Sequence, residues 1–143
     1  MIKEFVECWN KYKVDLEEYF KNAKQGEYDT YEKIVKLLFD KVINKEETKG
    51  RLFDIDNIKV IDDGDWQGTQ IFIINLKSYQ PCETEYVVTN TYYGSCSGCD
   101  TLQAIQSIQR YNFDKLPNEE QIKGYMQLAL HLLQKSKWLY EEE

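Results

Sequence analysis

The chain has 143 residues, of which 42% are hydrophobic and 30% are charged, so it can bury one core and is not expected to be disordered. Its 25 acidic residues outnumber 18 basic ones, and the net charge of −7 argues against general nucleic-acid binding, which needs a clustered positive surface. No apolar run approaches the roughly 18 residues of a membrane span, and the first residues lack the pattern of a secretory signal, so we expect a cytoplasmic protein that does not bind membranes.

Residues 1–48 predict a helical hairpin. Apolar side chains recur every three or four positions over residues 2–23 and again over residues 30–44, which is the spacing of amphipathic helices. Asp29 and Glu32 have capping-box spacing, in which the first side chain accepts a free amide of the helix start and the second reaches back. The second helix is therefore expected to begin after Asp29.

The period of the apolar pattern then changes from 3.6 to 2, which predicts strands. Three β-rich runs cover residues 57–62, 69–76 and 85–93, and their connections are short. Such runs are typical of an antiparallel meander. The middle run has apolar residues on both faces, which predicts a central strand or a sheet that is covered on both sides.

Two further helices are expected after the strands. A short helix follows Asp100, and a last helix runs from Asn118 to about Tyr140, each with a capping-box residue at its start. The acidic tail, residues 141–143, is expected to be solvated.

This order of elements predicts an α+β fold, with an N-terminal helical hairpin, a three-stranded antiparallel sheet and two C-terminal helices packed on the sheet. We interpret residues 1–143 as a single domain. Within it, residues 1–48 form the hairpin and residues 51–143 form the β-meander with the two helices.

The most specific motif is Cys96-Ser97-Gly98-Cys99, which lies between a predicted strand and a predicted helix start. Free amides at a helix start stabilise a thiolate and lower the pKa of a cysteine. The local arrangement resembles that of thioredoxin-like proteins, although the likeness covers only the motif. It implies a redox pair in which Cys96 and Cys99 are the catalytic thiols.

Two alternatives to redox chemistry stay open for this motif. Two thiols separated by two residues also fit two positions on a zinc ion, with Cys82 as a third ligand and Cys8 or His131 as a fourth. In the other alternative, Cys96 and Cys99 are buried as small hydrophobic residues in a tight glycine turn, and no cofactor is needed.

His131 is the single histidine, which leaves no pair of histidines for a His-rich metal site. It is flanked by leucines in the last predicted helix. We therefore expect it to be a partly buried helical residue rather than a ligand or a general base.

Aromatic residues are abundant in the predicted sheet and its loops, and they are candidates for a ligand pocket or a partner surface. Ordinary cross-strand packing is the alternative. The candidate binding residues are Trp66, Tyr79, Tyr86, Tyr92, Tyr93 and Asp100.

The string Tyr-Gly-Ser-Cys-Ser-Gly-Cys-Asp at residues 93–100, with Gly68-Thr69-Gln70 and Tyr79-Gln80-Pro81 upstream, resembles a family of small uncharacterised proteins of bacteriophages and prophages. The likeness covers roughly residues 62–110. It implies a phage-linked accessory protein but no particular activity.

The sequence thus favours a small, acidic accessory protein that binds a host or phage protein or a small molecule. The alternative is a thiol redox or metal-binding protein that uses Cys96 and Cys99. We expect no cofactor in the first case, whereas the metal alternative would use zinc. The lack of a complete catalytic set favours a protein that is not an enzyme.

Overall fold

The computed structural model describes residues 1–140, in which helices pack on one face of an antiparallel sheet, and the α+β class is therefore confirmed. The predicted acidic tail lies outside the described residues. In chain order the helices and strands are α1 (Lys3–Asn22), α2 (Tyr31–Lys41), β1 (Lys59–Asp62), β2 (Gly68–Asn75), β3 (Tyr86–Tyr93), α3 (Thr101–Ser107), α4 (Glu119–Lys135) and β4 (Lys137–Trp138).

Helix α2 begins one residue later than predicted. The N-cap is Thr30, whose backbone is extended and whose side-chain oxygen accepts the N–H of Lys33 at 3.2 Å. Asp29 instead forms an ion pair with Lys33 at 2.8 Å. The prediction of Asp29 as the cap was wrong because two residues with capping side chains are adjacent, and only backbone conformation distinguishes them.

Within residues 1–140 the sheet has four strands in the order β1-β2-β3-β4, one more than the three that were predicted. The last helix ends at Lys135 rather than near Tyr140, and β4 then pairs with β3. The N–H of Leu139 donates to the carbonyl oxygen of Tyr86 at 2.8 Å, which continues this pairing. A strand of two residues is too short to show a period of two, so the pattern could not reveal it.

The two faces of the sheet have different surroundings. On the inner face Phe72, Ile74 and Val87 are fully buried. Helix α4 contacts this face, and the hydroxyl of Thr89 donates to the carbonyl oxygen of Leu132 at 2.6 Å. The residues that alternate with these form the outer sheet face, whose apolar and aromatic members are Ile61, Ile71, Ile73, Tyr86, Val88 and Tyr92.

The outer sheet face is open within the described residues. The paired residues Ile61 and Ile71 are 51% and 36% exposed. Strand β2 lies between β1 and β3, so the prediction of a central strand is confirmed, whereas its alternative, a sheet that is covered on both sides, does not hold for residues 1–140.

The helical layer is held together by aromatic packing. Phe5 of α1 meets Phe39 of α2 and Phe53 edge to face, with ring centroids 5.8 and 5.7 Å apart. Tyr28 similarly packs on Phe20 and on Tyr125 of α4. Such contacts join α1, α2 and α4 into one layer.

Over residues 1–140, no helix combines the length and the apolar character that crossing a membrane requires.

Candidate functional site

The cysteine motif lies in a turn that joins β3 to α3, as predicted, and Asp100 closes this turn. One carboxylate oxygen of Asp100 accepts the N–H of Gly94 at 3.0 Å, and the other accepts the N–H of Gln103 at 2.9 Å. The second bond is the N-cap of α3. Because Asp100 is only 5% exposed, these bonds fix both ends of the segment 94–100, which we call the dithiol turn.

The dithiol turn is also attached to the helical layer. The buried hydroxyl of Tyr31 in α2 donates to Asp100 at 2.8 Å and accepts the N–H of Leu102 at 3.0 Å. Burial raises the pKa of Tyr31, and the hydrogen bond to Asp100 adds to this effect, so the hydroxyl stays protonated. No sequence signal points to this role, because Tyr31 also fits the apolar stripe of α2.

The two sulfurs of the turn lie side by side on the surface. The Sγ atoms of Cys96 and Cys99 are 3.1 Å apart, and both residues are exposed. The interpretation of these thiols as buried hydrophobic residues was therefore wrong. Residues 95–99 of the turn are all exposed, so the turn lies at the surface of the described residues.

Hydrogen bonds inside the turn converge on the sulfur of Cys99. The Sγ atom of Cys96 lies 3.1 Å from this sulfur, and either thiol can be the donor of that contact, while the backbone N–H of Cys96 lies 3.3 Å from it. Together with contributions from Ser95, these bonds lower the pKa of Cys99 from that of an ordinary thiol. The thiolate form of Cys99, which is the nucleophilic form of a cysteine, is therefore favoured.

Gly94 makes this packing of Cys99 possible. A Cβ atom on Gly94 would lie 2.5 Å from the sulfur of Cys99 and 2.7 Å from its carbonyl oxygen. Gly98, in contrast, has room for a side chain, since a Cβ atom there would make only an ordinary contact, at 3.9 Å, with the sulfur of Cys96. The packing of Cys99 therefore requires glycine at position 94, whereas it does not require glycine at position 98.

The ligands considered for zinc are not brought together. Within residues 1–140, no group of three or more His, Cys, Asp or Glu side chains is arranged to hold a metal ion. Cys82 precedes the opposite end of β3, where its sulfur lies 3.3 Å from a carboxylate oxygen of Glu85. Cys8 is buried, with its sulfur 4.0 Å from the carbonyl oxygen of Ile43. The cysteine pair therefore has no third protein ligand in the part of the chain that is described.

His131 is exposed, so the expectation of partial burial was wrong. On α4, Leu132 and Leu133 face the core, whereas His131 lies on the side that borders a groove of about 590 Å³ between α3 and α4. The leucines that follow His131 in the sequence point to the core while His131 does not, because successive helical positions are about 100° apart around the axis.

The predicted aromatic residues do not form one pocket. Tyr86 and Tyr92 belong to the outer sheet face, whereas Tyr93 points to the opposite side. Trp66 and Tyr79 are 81% and 96% exposed on loops. Tyr92 and Tyr93 lie on opposite faces of the sheet because successive side chains of a strand alternate between its faces.

Tyr93 closes the turn between β1 and β2. Its hydroxyl approaches a carboxylate oxygen of Asp62 at 2.5 Å and the carbonyl oxygen of Gly64 at 2.7 Å. The bond to Asp62 raises the pKa of Tyr93 to about 12 and lowers the pKa of Asp62. Tyr93 is therefore a neutral donor at physiological pH.

Tyr93 and Asp100, two of the predicted binding residues, do share a cleft of about 490 Å³. We call it the α2–α3 cleft, because α2, α3 and the neighbouring strands enclose it. Its lining consists of Asp29, Thr30, Tyr31, Glu32, Val60, Gln70, Tyr93, Gly94, Asp100, Leu102, Gln103 and Gln106. The sequence did not indicate the glutamines, which come from a strand and a helix that are far apart in the chain.

Comparisons with family models, curated proteins and solved structures found no match for this chain.

Proposed function

We propose that the protein carries out reversible dithiol–disulfide exchange at Cys96 and Cys99. The observation that supports this most strongly is the distance of 3.1 Å between two exposed sulfurs in a turn that is held at both ends. A disulfide bond is about 2.05 Å long, so bond formation requires an approach of about 1 Å. Because the pKa of Cys99 is lowered, a larger fraction of this residue is in the thiolate form that such exchange needs.

The proposed reaction uses a disulfide, RSSR, as the oxidant. The Cys99 thiolate attacks one sulfur of RSSR, which forms a mixed disulfide and releases one RS⁻ that takes up a proton. Cys96 then loses its proton and its thiolate attacks the Cys99 sulfur, which forms the Cys96–Cys99 disulfide and releases a second RS⁻ that takes up this proton. Overall, one protein dithiol and one RSSR give one protein disulfide and two RSH, a two-electron transfer.

A redox titration tests this proposal. The protein is equilibrated in buffers of reduced and oxidised glutathione, quenched with acid and alkylated, and the free thiols are located by mass spectrometry. We expect Cys96 and Cys99 to become protected together, with a loss of two hydrogen masses and a single midpoint. Stable glutathione adducts on these residues, or no protection across the titration, would contradict the proposal.

Cys82 provides the matched control for this titration. It is exposed like the pair, and no other cysteine is its hydrogen-bond partner among residues 1–140. A Cys82→Ser variant is therefore expected to keep the midpoint of the wild type. A Cys96→Ser variant should instead accumulate the mixed disulfide on Cys99, because the second step lacks its nucleophile.

Binding of a protein partner is the second candidate function, and the outer sheet face favours it. Its exposed, paired isoleucines Ile61 and Ile71 lie beside tyrosines, a composition that is common in interface centres. In this proposal the protein is an accessory factor that binds a host or phage protein, in line with the resemblance to phage-linked proteins and with a cytoplasmic location.

The partner proposal is tested by affinity capture from a bacterial lysate with three forms of the protein. A specific partner should be retained by the wild type and lost with Ile71→Lys. Val14→Lys is the control, because Val14 is 66% exposed on α1, outside the outer sheet face. A protein retained equally by all three forms would rule out this face as its binding site.

A further inference from the structure

Strand β1 forms an open edge of the sheet. It pairs with β2 on one side, and no strand of residues 1–140 pairs with it on the other side. All four of its residues are exposed. An unpaired strand edge presents a row of N–H and C=O groups that can hydrogen-bond to a strand of another chain. The edge of β1 is therefore a surface at which the sheet can be extended.

The backbone groups that face this edge belong to the even-numbered residues Val60 and Asp62. The N–H of Asp63 donates to the carbonyl oxygen of Thr69 at 3.2 Å, and these two residues continue the register of β1 with β2. In an antiparallel sheet, residues that bond to one neighbouring strand alternate with residues whose N–H and C=O point to the other side. The odd-numbered positions of β1 therefore face β2, and the even-numbered positions face the open edge.

The charges of β1 distinguish the ways in which a second copy of the chain can pair with this edge. Two identical antiparallel strands are related by a twofold axis, and when their outward groups meet, one residue lies opposite its own copy. An axis at Lys59 or at Asp62 would place like charges directly opposite each other, which is destabilising. An axis at Val60 would place both charged residues opposite isoleucines, at positions 61 and 58.

An axis at Ile61 is the arrangement with complementary charges. Lys59 of each copy then lies opposite Asp63 of the other copy, on the same face of the sheet, so two ion pairs can form. Neither residue forms an ion pair within residues 1–140. One carboxylate oxygen of Asp63 accepts the N–H of Thr69 at 2.7 Å, which leaves its other oxygen for the lysine.

Backbone bonding and apolar contact are compatible with the same axis. Val60 of one copy lies opposite Asp62 of the other, and these residues can exchange their outward N–H and C=O groups. Ile61 meets its own copy as a pair without hydrogen bonds, the kind of pair in which side chains are closest. Ile71 lies beside Ile61 on β2, so the exposed isoleucines of both copies would form one apolar strip on the outer sheet face.

We propose that a second copy of the chain pairs antiparallel with β1 about a twofold axis at Ile61, so that the two sheets become one continuous sheet. The interface uses the edge of β1, whereas the partner proposal uses the outer sheet face. It is also separate from the proposed thiol exchange, because the dithiol turn follows β3 and contributes no residue to β1.

Sedimentation equilibrium in reducing buffer, up to a protein concentration of about 1 mM, tests for this dimer. We expect the wild type to dimerise reversibly and Lys59→Glu to weaken the dimer about tenfold or more, because it places like charges opposite each other at two positions. Lys59→Arg keeps the charge and should keep the affinity. Lys13→Glu makes the same charge change at an exposed position of α1 and should have no effect. A wild type that stays monomeric, or a dimer that Lys59→Glu does not weaken, would overturn the proposal.

Cysteine cross-linking tests the position of the axis, in a chain whose exposed native cysteines are replaced by serine. Opposite residues of a pair without hydrogen bonds have Cβ atoms about 4.5–5.5 Å apart, close enough for a disulfide after a small adjustment. Ile61→Cys should therefore give a covalent dimer on mild oxidation. Val60→Cys should not, because it would lie opposite Asp62 rather than its own copy. Cross-linking that is no faster for Ile61→Cys than for Val60→Cys would overturn the proposal.

Discussion

Gly94 is the residue whose missing side chain allows the sulfur of Cys99 to pack against the backbone. We predict that Gly94→Ala destabilises the protein by about 1–3 kcal/mol, the usual cost of overpacking, because the methyl group would meet backbone and sulfur at less than 3 Å. Gly98→Ala is the control and should change the free energy of unfolding little. Urea denaturation measures both, and equal costs for the two variants would contradict the described packing.

The hydrogen bond from the Cys96 side chain is the main cause of the lowered pKa of Cys99. In a Cys96→Ala variant we therefore expect the pKa of Cys99 to rise toward that of a free thiol. The rate of Cys99 alkylation followed from pH 5 to 10 should then have its midpoint at a higher pH than in the wild type. A midpoint that does not move would mean that backbone donors alone hold the thiolate.

At the scale of single elements, two neighbouring side chains at the start of α2 have different roles: Thr30 caps the helix, and Asp29 forms an ion pair. Thr30→Ala should cost about 1 kcal/mol, because it removes the N-cap of the helix. Asp29→Ala removes only a partly exposed ion pair and should cost no more than about 0.5 kcal/mol. The two free energies of unfolding are compared by urea denaturation, and the reverse order would restore Asp29 as the cap.

The helices and the strands β1, β2 and β3 were predictable because each has at least four residues, enough for its apolar period to be visible. The capping box of α4 was predictable because its two residues, Asn118 and Gln121, are only three positions apart in the sequence. Both reciprocal hydrogen bonds form between them. The features that were predicted wrongly involve only one or two residues. The strand β4 has two residues, and the cap of α2 depends on one backbone conformation.

The candidate site was predictable only as far as it is local in sequence. The motif fixes two cysteines beside a helix start, and the structure places their sulfurs together. The role of Tyr31 and the lining of the α2–α3 cleft depend on contacts between distant segments, such as the 69 residues that separate Tyr31 from Asp100. Spacing along one element carries no information about such contacts.

For the molecule as a whole, Tyr31 joins the helical hairpin to the turn at the end of the sheet. Tyr31→Phe should lower stability by about 1–2 kcal/mol, because a buried carboxylate oxygen and the N–H of Leu102 each lose a partner. Hydrogen exchange at Leu102 should become faster. Tyr111→Phe, at a site that is 42% exposed, is the control and should change neither quantity.

The position of β4 has a consequence for the order of folding. Its two residues pair with Val87 and Val88, about 50 positions earlier in the chain, and α3 and α4 lie between the partners. Closing so long a loop is unfavourable until the intervening helices have shortened it. We therefore expect the fourth strand to join the sheet only once α4 has docked. The β3 edge would therefore be the last backbone to gain its partner and the first to lose it.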